Sequence, residues 1–201
     1  LTDNVIRILC TAYSYKRAPD KPKTDQLPTG FATIVHSPMN VGNDIKFPVK
    51  EKMVRLALYQ PDIAGNTGTI IRMCACFGVA TDIIEPCGFP LGDRQLKRAV
   101  MDYDQHAQIS RHPDWETFLS DQATDSRVIL LSSKAKTSLY DFAFSDNDIL
   151  LMGSESAGVP EHVTNQVYEA VTIPMTAGPR SLNVAIAAAI AMGEALRQTA
   201  K

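Results

Sequence analysis

Three short stretches of this chain put small polar residues, carboxamides, a carboxylate and an arginine where apolar strands give way to helices. They are Gly65-Asn66-Thr67-Gly68-Thr69-Ile70-Ile71-Arg72, Leu150-Leu151-Met152-Gly153-Ser154-Glu155-Ser156-Ala157-Gly158-Val159-Pro160, and Ile173-Pro174-Met175-Thr176-Ala177-Gly178-Pro179-Arg180-Ser181-Leu182-Asn183-Val184. A helix start presents unpaired backbone N–H groups, so turns of this kind can bind a ligand. Capping is the plainer reading for Asn66 and Ser181, whose side chains suit an N-cap. No G-x-G-x-x-G follows the first strand, which argues against an ordinary dinucleotide-binding fold.

The elements that must position these turns alternate along the chain. An apolar run from Val54 to Tyr59 ends at Gln60-Pro61, and Asn66 or Thr67 then caps a helix that reaches Phe77 and stops at Gly78. Val79 to Glu85 reads as a second strand, Pro86 to Gly92 as a loop, and Asp93 caps a short helix through Val100. Gln105 to Ser110 is a weaker strand. Pro113 opens an amphipathic helix with Trp115 in the core, and Arg127 to Ser132 is the next strand. Asp148 to Met152 and Ala170 to Ile173 are the last strands, separated by a helix beginning at Pro160, and Ser181 to Thr199 is the final helix. This alternation predicts an α/β fold with a mainly parallel sheet flanked by helices on both faces. Ala185, Ala187, Ala188, Ala189 and Ala191 make the last helix thin, so neighbours can approach its backbone closely.

Composition narrows the class. With 201 residues, 45% of them hydrophobic, the chain can bury one sizeable core. A formal net charge of −2 does not advertise a nucleic-acid binder, so any nucleic-acid surface must be local. No run approaches the ~18 apolar residues of a membrane span, and no secretory signal opens the chain; a cytoplasmic address is the expectation. Residues 1–52 hold five of the twelve prolines and eight basic against five acidic residues, without a sustained period. They read as an irregular extension, either a basic arm for nucleic acid or a segment outside the native fold, and composition favours the latter. The folded domain is then 53–201. Cys74 and Cys76 face different ways on a predicted helix, so the cysteines read as free buried thiols and no metal is expected. The four histidines show no partner pattern, and His106 and His162 read as surface or packing residues.

In order and spacing, the three turns resemble the three motifs of the SPOUT superfamily of RNA methyltransferases, in the branch that methylates ribose 2′-hydroxyls. The phrases Leu56-Ala57-Leu58-Tyr59-Gln60-Pro61-Asp62-Ile63-Ala64-Gly65-Asn66-Thr67-Gly68 and Lys97-Arg98-Ala99-Val100-Met101-Asp102-Tyr103 resemble its TrmL (YibK-like) subgroup, which acts on the wobble nucleotide of tRNA. Val100 departs from the subgroup, which usually carries glycine there. The resemblance implies a C-terminal trefoil knot, S-adenosylmethionine as cofactor, tRNA as partner and a homodimer built on the first and last helices. It implies cofactor contacts at Met152, Gly153, Ser154, Glu155, Ile173, Pro174, Met175, Ser181 and Leu182. It makes Arg72 the catalytic position, completed by Asn66, Glu155, Ser181 and Asn183. Glu155 could anchor Arg72 or a helix N-terminus, and Asn183 could hold either loop. Because guanidinium gives up a proton only above pH ~12, the preferred role of Arg72 is to grip the phosphate beside the target ribose. RNA contact falls to Arg94, Lys97, Arg98 and Arg180, with Arg111, Lys134 and Lys136 as further candidates. The implied activity is tRNA wobble ribose 2′-O-methylation, on cytidine or modified uridine. The alternatives are ribosomal RNA methylation and a non-catalytic RNA-binding or cofactor-sensing protein of the same fold.

Overall fold

Burial on both faces explains why the central strands read as unbroken apolar runs. The computed structural model describes residues 54–90, 107–176 and 181–199. The expected extension over 1–52, the helix expected from Asp93 through Val100, His106, and the RNA candidates Arg94, Lys97, Arg98 and Arg180 lie outside the described residues. Seven strands form one sheet: β1 (Arg55–Tyr59), β2 (Thr81–Ile84), β3 (Ile109–His112), β4 (Arg127–Leu131), β5 (Thr137–Ser138), β6 (Asp148–Met152) and β7 (Glu169–Thr172). Their order is β3-β2-β1-β6-β4-β7-β5, and every pairing is parallel. Among the described residues the helices are α1 (Ala64–Phe77), α2 (Trp115–Ser120), α3 (Glu161–Thr164) and α4 (Val184–Thr199).

Alternation along each strand sorts its side chains onto two faces. Leu56, Leu58, Ile129, Leu150, Met152 and Val171 face one way and pack with Ile70 and Cys74 of α1 and with Ala188, Ala191 and Met192 of α4. Ala57, Tyr59, Val128, Leu130, Ile149 and Leu151 face the other way, against Trp115 and Phe118 of α2 and Val163 of α3. β6 lies between β1 and β4 and is buried along its whole length. Trp115 is in the core, as expected, and its indole N–H donates to Gln166 Oε1 at 2.8 Å. The thin helix is used as its alanines suggest: Ala188, Ala191 and Ala195 have no exposed surface.

Several boundaries differ from the sequence expectation, for identifiable reasons. α1 begins at Ala64, before Asn66, with Ile63 in extended conformation as an N-cap that has no side-chain bond. Thr67 N–H donates to the Ile63 carbonyl at 3.1 Å, so the backbone already closes the first turn and Asn66 is not the cap. The other end is as expected: Gly78 adopts φ +68°, a left-handed C-cap that favours glycine. α4 begins at Val184, after Ser181. Its cap is Asn183, whose Oδ1 accepts from Ala185 N–H at 2.9 Å and Ile186 N–H at 3.3 Å. β3 lies later than expected because its pairing with β2 runs from Thr81↔Ile109 to Ile84↔His112. β5, with no apolar run to announce it, is recruited by pairing with the end of β7.

The structure also gives one histidine partners that its sequence neighbours do not show. His112 is buried, with Nε2 3.0 Å from Asp82 Oδ1 and Nδ1 3.2 Å from Asp121 Oδ2. Phe118 meets its ring edge-on. Arg55, 3.4 Å from the second Asp82 oxygen, adds Coulombic support but no hydrogen bond, and its guanidinium donates to Gln122. Charge on the buried Asp82 is thereby shared between β1 and β3.

Ala188 leaves no room for a larger side chain between α4 and the sheet. Ala188→Leu should therefore lower stability by about 1–3 kcal/mol through overpacking. Urea unfolding checks this; an unchanged midpoint would mean that α4 is loosely seated.

Candidate active site

Because all seven strands are parallel, their C-terminal ends share one edge, where ligands of open α/β sheets bind. A cavity of about 740 Å³ opens there, within the size range of small-molecule sites. Three adjacent strands supply most of it. β4 contributes Leu130 through Ala135, β6 contributes Met152 through Val159, and β7 contributes Ala170, Thr172, Ile173 and Met175. Ile63 and Asn66 close it from α1, and Ser181, Leu182 and Asn183 from the entry to α4. Among the described residues its lining mixes apolar side chains with serine hydroxyls, one ammonium and one carboxylate, that of Glu155.

That carboxylate organises the wall. Asp62 N–H donates to Glu155 Oε2 at 2.8 Å, and the Asn66 side-chain amide donates to Glu155 Oε1 at 2.9 Å. Asn66 in turn accepts through Oδ1 from the Asn183 side-chain amide at 3.1 Å. The turn after β1, the turn after β6 and the start of α4 are thus one hydrogen-bonded chain. A return link runs from Ser156, whose N–H and hydroxyl both donate to Asp62 Oδ2, at 2.9 and 2.6 Å. The Ser156 hydroxyl, then its N–H, hold the Asp62 carboxyl below its ordinary value. Within the β6 turn, Ser154 and Gly158 exchange backbone hydrogen bonds at 2.9 Å each. A Cβ on Gly153 would lie 2.6 Å from the Gly158 carbonyl carbon, so this close approach requires glycine. Gln60, at φ +45°, turns the chain sharply out of β1, and Gly88 N–H donates to the Pro61 carbonyl at 2.9 Å, bracing that turn from the β2 side.

The fold brings together most of the residues singled out in the sequence. Asn66, Met152, Gly153, Ser154, Glu155, Ile173, Met175, Ser181, Leu182 and Asn183 all line the cavity. Pro174 is exposed and outside the lining, because the chain turns it away between Ile173 and Met175. Arg72 is also outside the lining, exposed on α1 beyond Asn66. Glu155 therefore anchors the start of α1 and Asn66, and Asn183 both caps α4 and holds the first loop. Ser181 lines the cavity without capping α4. The sequence reading missed Asp62, Ser156 and, at the β4 end, Ser132 and Ser133, where it named only Lys134 as a further RNA candidate, although Ser132-Ser133-Lys134 carries the same signature of small polar residues after an apolar strand. Arg111 is paired with Glu85 at 2.7 Å, at the β2–β3 end of this edge and outside the cavity lining. Of the described cysteines, only Cys74 is buried; Cys76 is exposed and Cys87 half-buried, correcting the expectation of buried thiols throughout. Burial pushes the thiols of Cys74 and Cys87 up to about 11, which keeps both protonated and unreactive at neutral pH.

Comparison with known proteins identifies the family and its fold. Residues 53–193 match the model of the SpoU rRNA Methylase family. The chain belongs to this family. Among its relatives, a Beijerinckia indica protein named tRNA (cytidine(34)-2′-O)-methyltransferase is 54% identical over 144 residues, covering 71% of this chain and 90% of that one. A protein of the same name from Ancylobacter novellus is 48% identical over 145 residues, covering 72% and 92%. A solved structure described as giving insights into 2-OH methylation of C/U34 on tRNA superposes with a TM-score of 0.71 at 39% identity, covering 73% of this chain and 96% of that chain. The SpoU methyltransferase AviRb of Streptomyces viridochromogenes, solved with AdoMet, matches at a TM-score of 0.69 and 25% identity, covering 75% and 59%.

Three outcomes follow from this wall. Glu155→Gln leaves one acceptor oxygen for two donors, so either Asp62 N–H or the Asn66 amide loses its partner. A stability loss of about 1–3 kcal/mol in thermal or urea unfolding is expected, and an unchanged transition would show that the two bonds carry no load. The Asp62 contribution is fully present above the unfolded carboxyl pKa and is lost as pH falls through its lower folded value, so the turn loosens only in acid. Ser156→Ala should move the Asp62 titration, followed by NMR, upward toward the ordinary carboxylate value; no movement would remove the hydroxyl as its cause.

Proposed function

We propose that this chain is an S-adenosylmethionine-dependent tRNA methyltransferase that modifies the ribose 2′-hydroxyl of the wobble nucleotide, cytidine or modified uridine. The observation that carries it is the chain from Glu155 through Asn66 to Asn183, which joins three strand-end turns around one cavity. The names of the family's relatives point to the same substrate.

The cavity's chemistry suits the cofactor. Leu130, Leu131, Ile173 and Leu182 offer apolar surface for an adenine, and the serine-rich turns after β4 and β6 offer hydroxyls and backbone groups for a ribose. When bound, S-adenosylmethionine supplies an electrophilic methyl group to the ribose oxygen. The protein's part is to position: Glu155 and Asn66 hold the wall rigid, Met152 to Ser154 with Ile173 and Met175 grip the cofactor, and Ser181 presents a hydroxyl at the rim. Arg72 grips the phosphate beside the target ribose and so aligns the hydroxyl, with that phosphate as the proton's first acceptor. Its exposure on α1 fits a side chain that acts on RNA rather than on the cofactor.

The working form in this reading is a cytoplasmic homodimer of the domain 53–201, with the C-terminal trefoil knot of the SPOUT fold and no metal. Ile186 of α4 and Phe77 of α1, 54% and 51% exposed, support an interface on those two helices, since apolar side chains of this size gain by being covered. Arg94, Lys97, Arg98 and Arg180 remain the proposed RNA contacts. Among the described residues, no helix is long and apolar enough to cross a membrane.

The test is methyl transfer from labelled S-adenosylmethionine into total tRNA and ribosomal RNA of a host lacking the activity, followed by mapping of the labelled ribose. Label at the tRNA wobble ribose is expected, and Arg72→Lys should lose most of it because a bidentate fork becomes a point charge. Label in ribosomal RNA alone would reassign the substrate. No label in any RNA, despite cofactor binding, would make the protein non-catalytic.

A further inference from the structure

The cavity has a charge arrangement that its proposed chemistry has not used. Among the described residues of its lining, two are charged, Glu155 and Lys134. Glu155 is committed, both of its oxygens being taken by Asp62 and Asn66. Lys134 is not: it is exposed at the mouth, and no acidic side chain among the described residues pairs with it.

The backbone that carries Lys134 is nonetheless fixed. Ser132 N–H donates to the Val171 carbonyl at 2.9 Å, continuing the β4–β7 ladder past the end of β4. Lys134 N–H then donates to Ser132 Oγ at 3.2 Å, and Ala135 N–H to the Ser132 carbonyl at 3.2 Å. A tight turn therefore holds the Cα of Lys134 at the rim, while its long stem leaves the ammonium free to reach. An unpaired cation on a fixed base at the mouth of a ligand cavity matches a ligand that brings an oxyanion to that point. Adenine and ribose need no such partner. A carboxylate or a phosphate does.

We propose that Lys134 is the anion holder of this cavity, its ammonium taking the ligand oxyanion that reaches the mouth. Resting on the function proposed above, the oxyanion has two sources: the carboxylate at the amino-acid end of the cofactor, or the phosphate of an RNA strand laid against the rim. The role is binding and alignment, with no covalent step.

The experiment uses the full chain and its Lys134→Ala, Lys134→Arg and Lys134→Glu variants, and reads binding rather than turnover. Each protein is titrated with S-adenosylhomocysteine, with 5′-methylthioadenosine, which lacks the carboxylate, and with total tRNA over a salt series. If the cofactor supplies the oxyanion, Lys134→Ala weakens S-adenosylhomocysteine about tenfold and leaves 5′-methylthioadenosine unchanged. If RNA supplies it, both small ligands are unaffected, tRNA binding falls about tenfold, and the slope of log affinity against log salt drops by about 0.7 to 0.9. In either case Lys134→Arg restores most of the binding and Lys134→Glu is worse than Lys134→Ala. Affinities for S-adenosylhomocysteine and tRNA that both stay within twofold of wild type in Lys134→Ala overturn the proposal while leaving the methyltransferase reading intact. A wild type that methylates no RNA, but whose S-adenosylhomocysteine affinity depends on Lys134, removes that reading and keeps the proposal. A wild type that binds neither S-adenosylhomocysteine nor tRNA removes both.

Discussion

The carboxylate of Glu155 is the constraint on which the site depends. Its two oxygens take donors from the turn and first helix that follow β1, residues 93 and 89 positions earlier in the chain. Asn66 passes the constraint on by accepting from Asn183, 117 positions later, and Asn183 spends its own oxygen on the first N–H groups of α4. Each member is therefore held on both sides. A half-buried carboxylate facing two donors gains more from those bonds than it loses in hydration, and a turn so held cannot drift without leaving a polar group unmet.

This chain of hydrogen bonds is possible only because the sheet is wholly parallel. β1, β6, β4 and β7 are neighbours, so the turns leaving their C-terminal ends are neighbours too, however far apart they lie in the sequence. The price of a parallel sheet is that both faces must be covered. Alternating side chains divide the apolar content between α1 and α4 on one side and α2 and α3 on the other. α4 can lie close because its contact face is alanine, which brings its capped N-terminus to the cavity rim.

Charge is distributed with equal economy. The acid of the cavity wall is used for architecture, while Lys134, the one cation among the described lining residues, stands at the mouth without a partner among them. At the opposite side of the sheet order, Asp82, His112 and Asp121 form a second polar cluster that joins β2, β3 and the end of α2. The two clusters differ in kind: the His112 cluster is closed on itself around a buried carboxylate, and the cavity wall is open to a ligand on one side.

By itself the sequence determined the fold class and most of the cavity's membership. Unbroken apolar runs such as Ile149 to Met152 require a sheet covered on both faces, and alternation with helices makes it parallel, which gathers the strand ends at one edge. The small polar residues at those ends could then be named from local chemistry, and their order and spacing carried the family resemblance. Tertiary structure alone decided which side chains cap and which connect. Locally, Asn66 and Ser181 look like caps, yet Asn66 is recruited by Glu155 and the cap of α4 is Asn183, because a hydrogen bond between distant turns competes with a local one and only the assembled sheet fixes the distance. The same holds for His112, whose carboxylates come from a neighbouring strand and a helix end, for β5, which exists only as a partner of β7, and for Arg72, whose helix turns it outward from the cavity that Asn66 lines. Local pattern specifies an element and its buried face; contacts between elements far apart in sequence are set by topology and register, which no window of the chain contains.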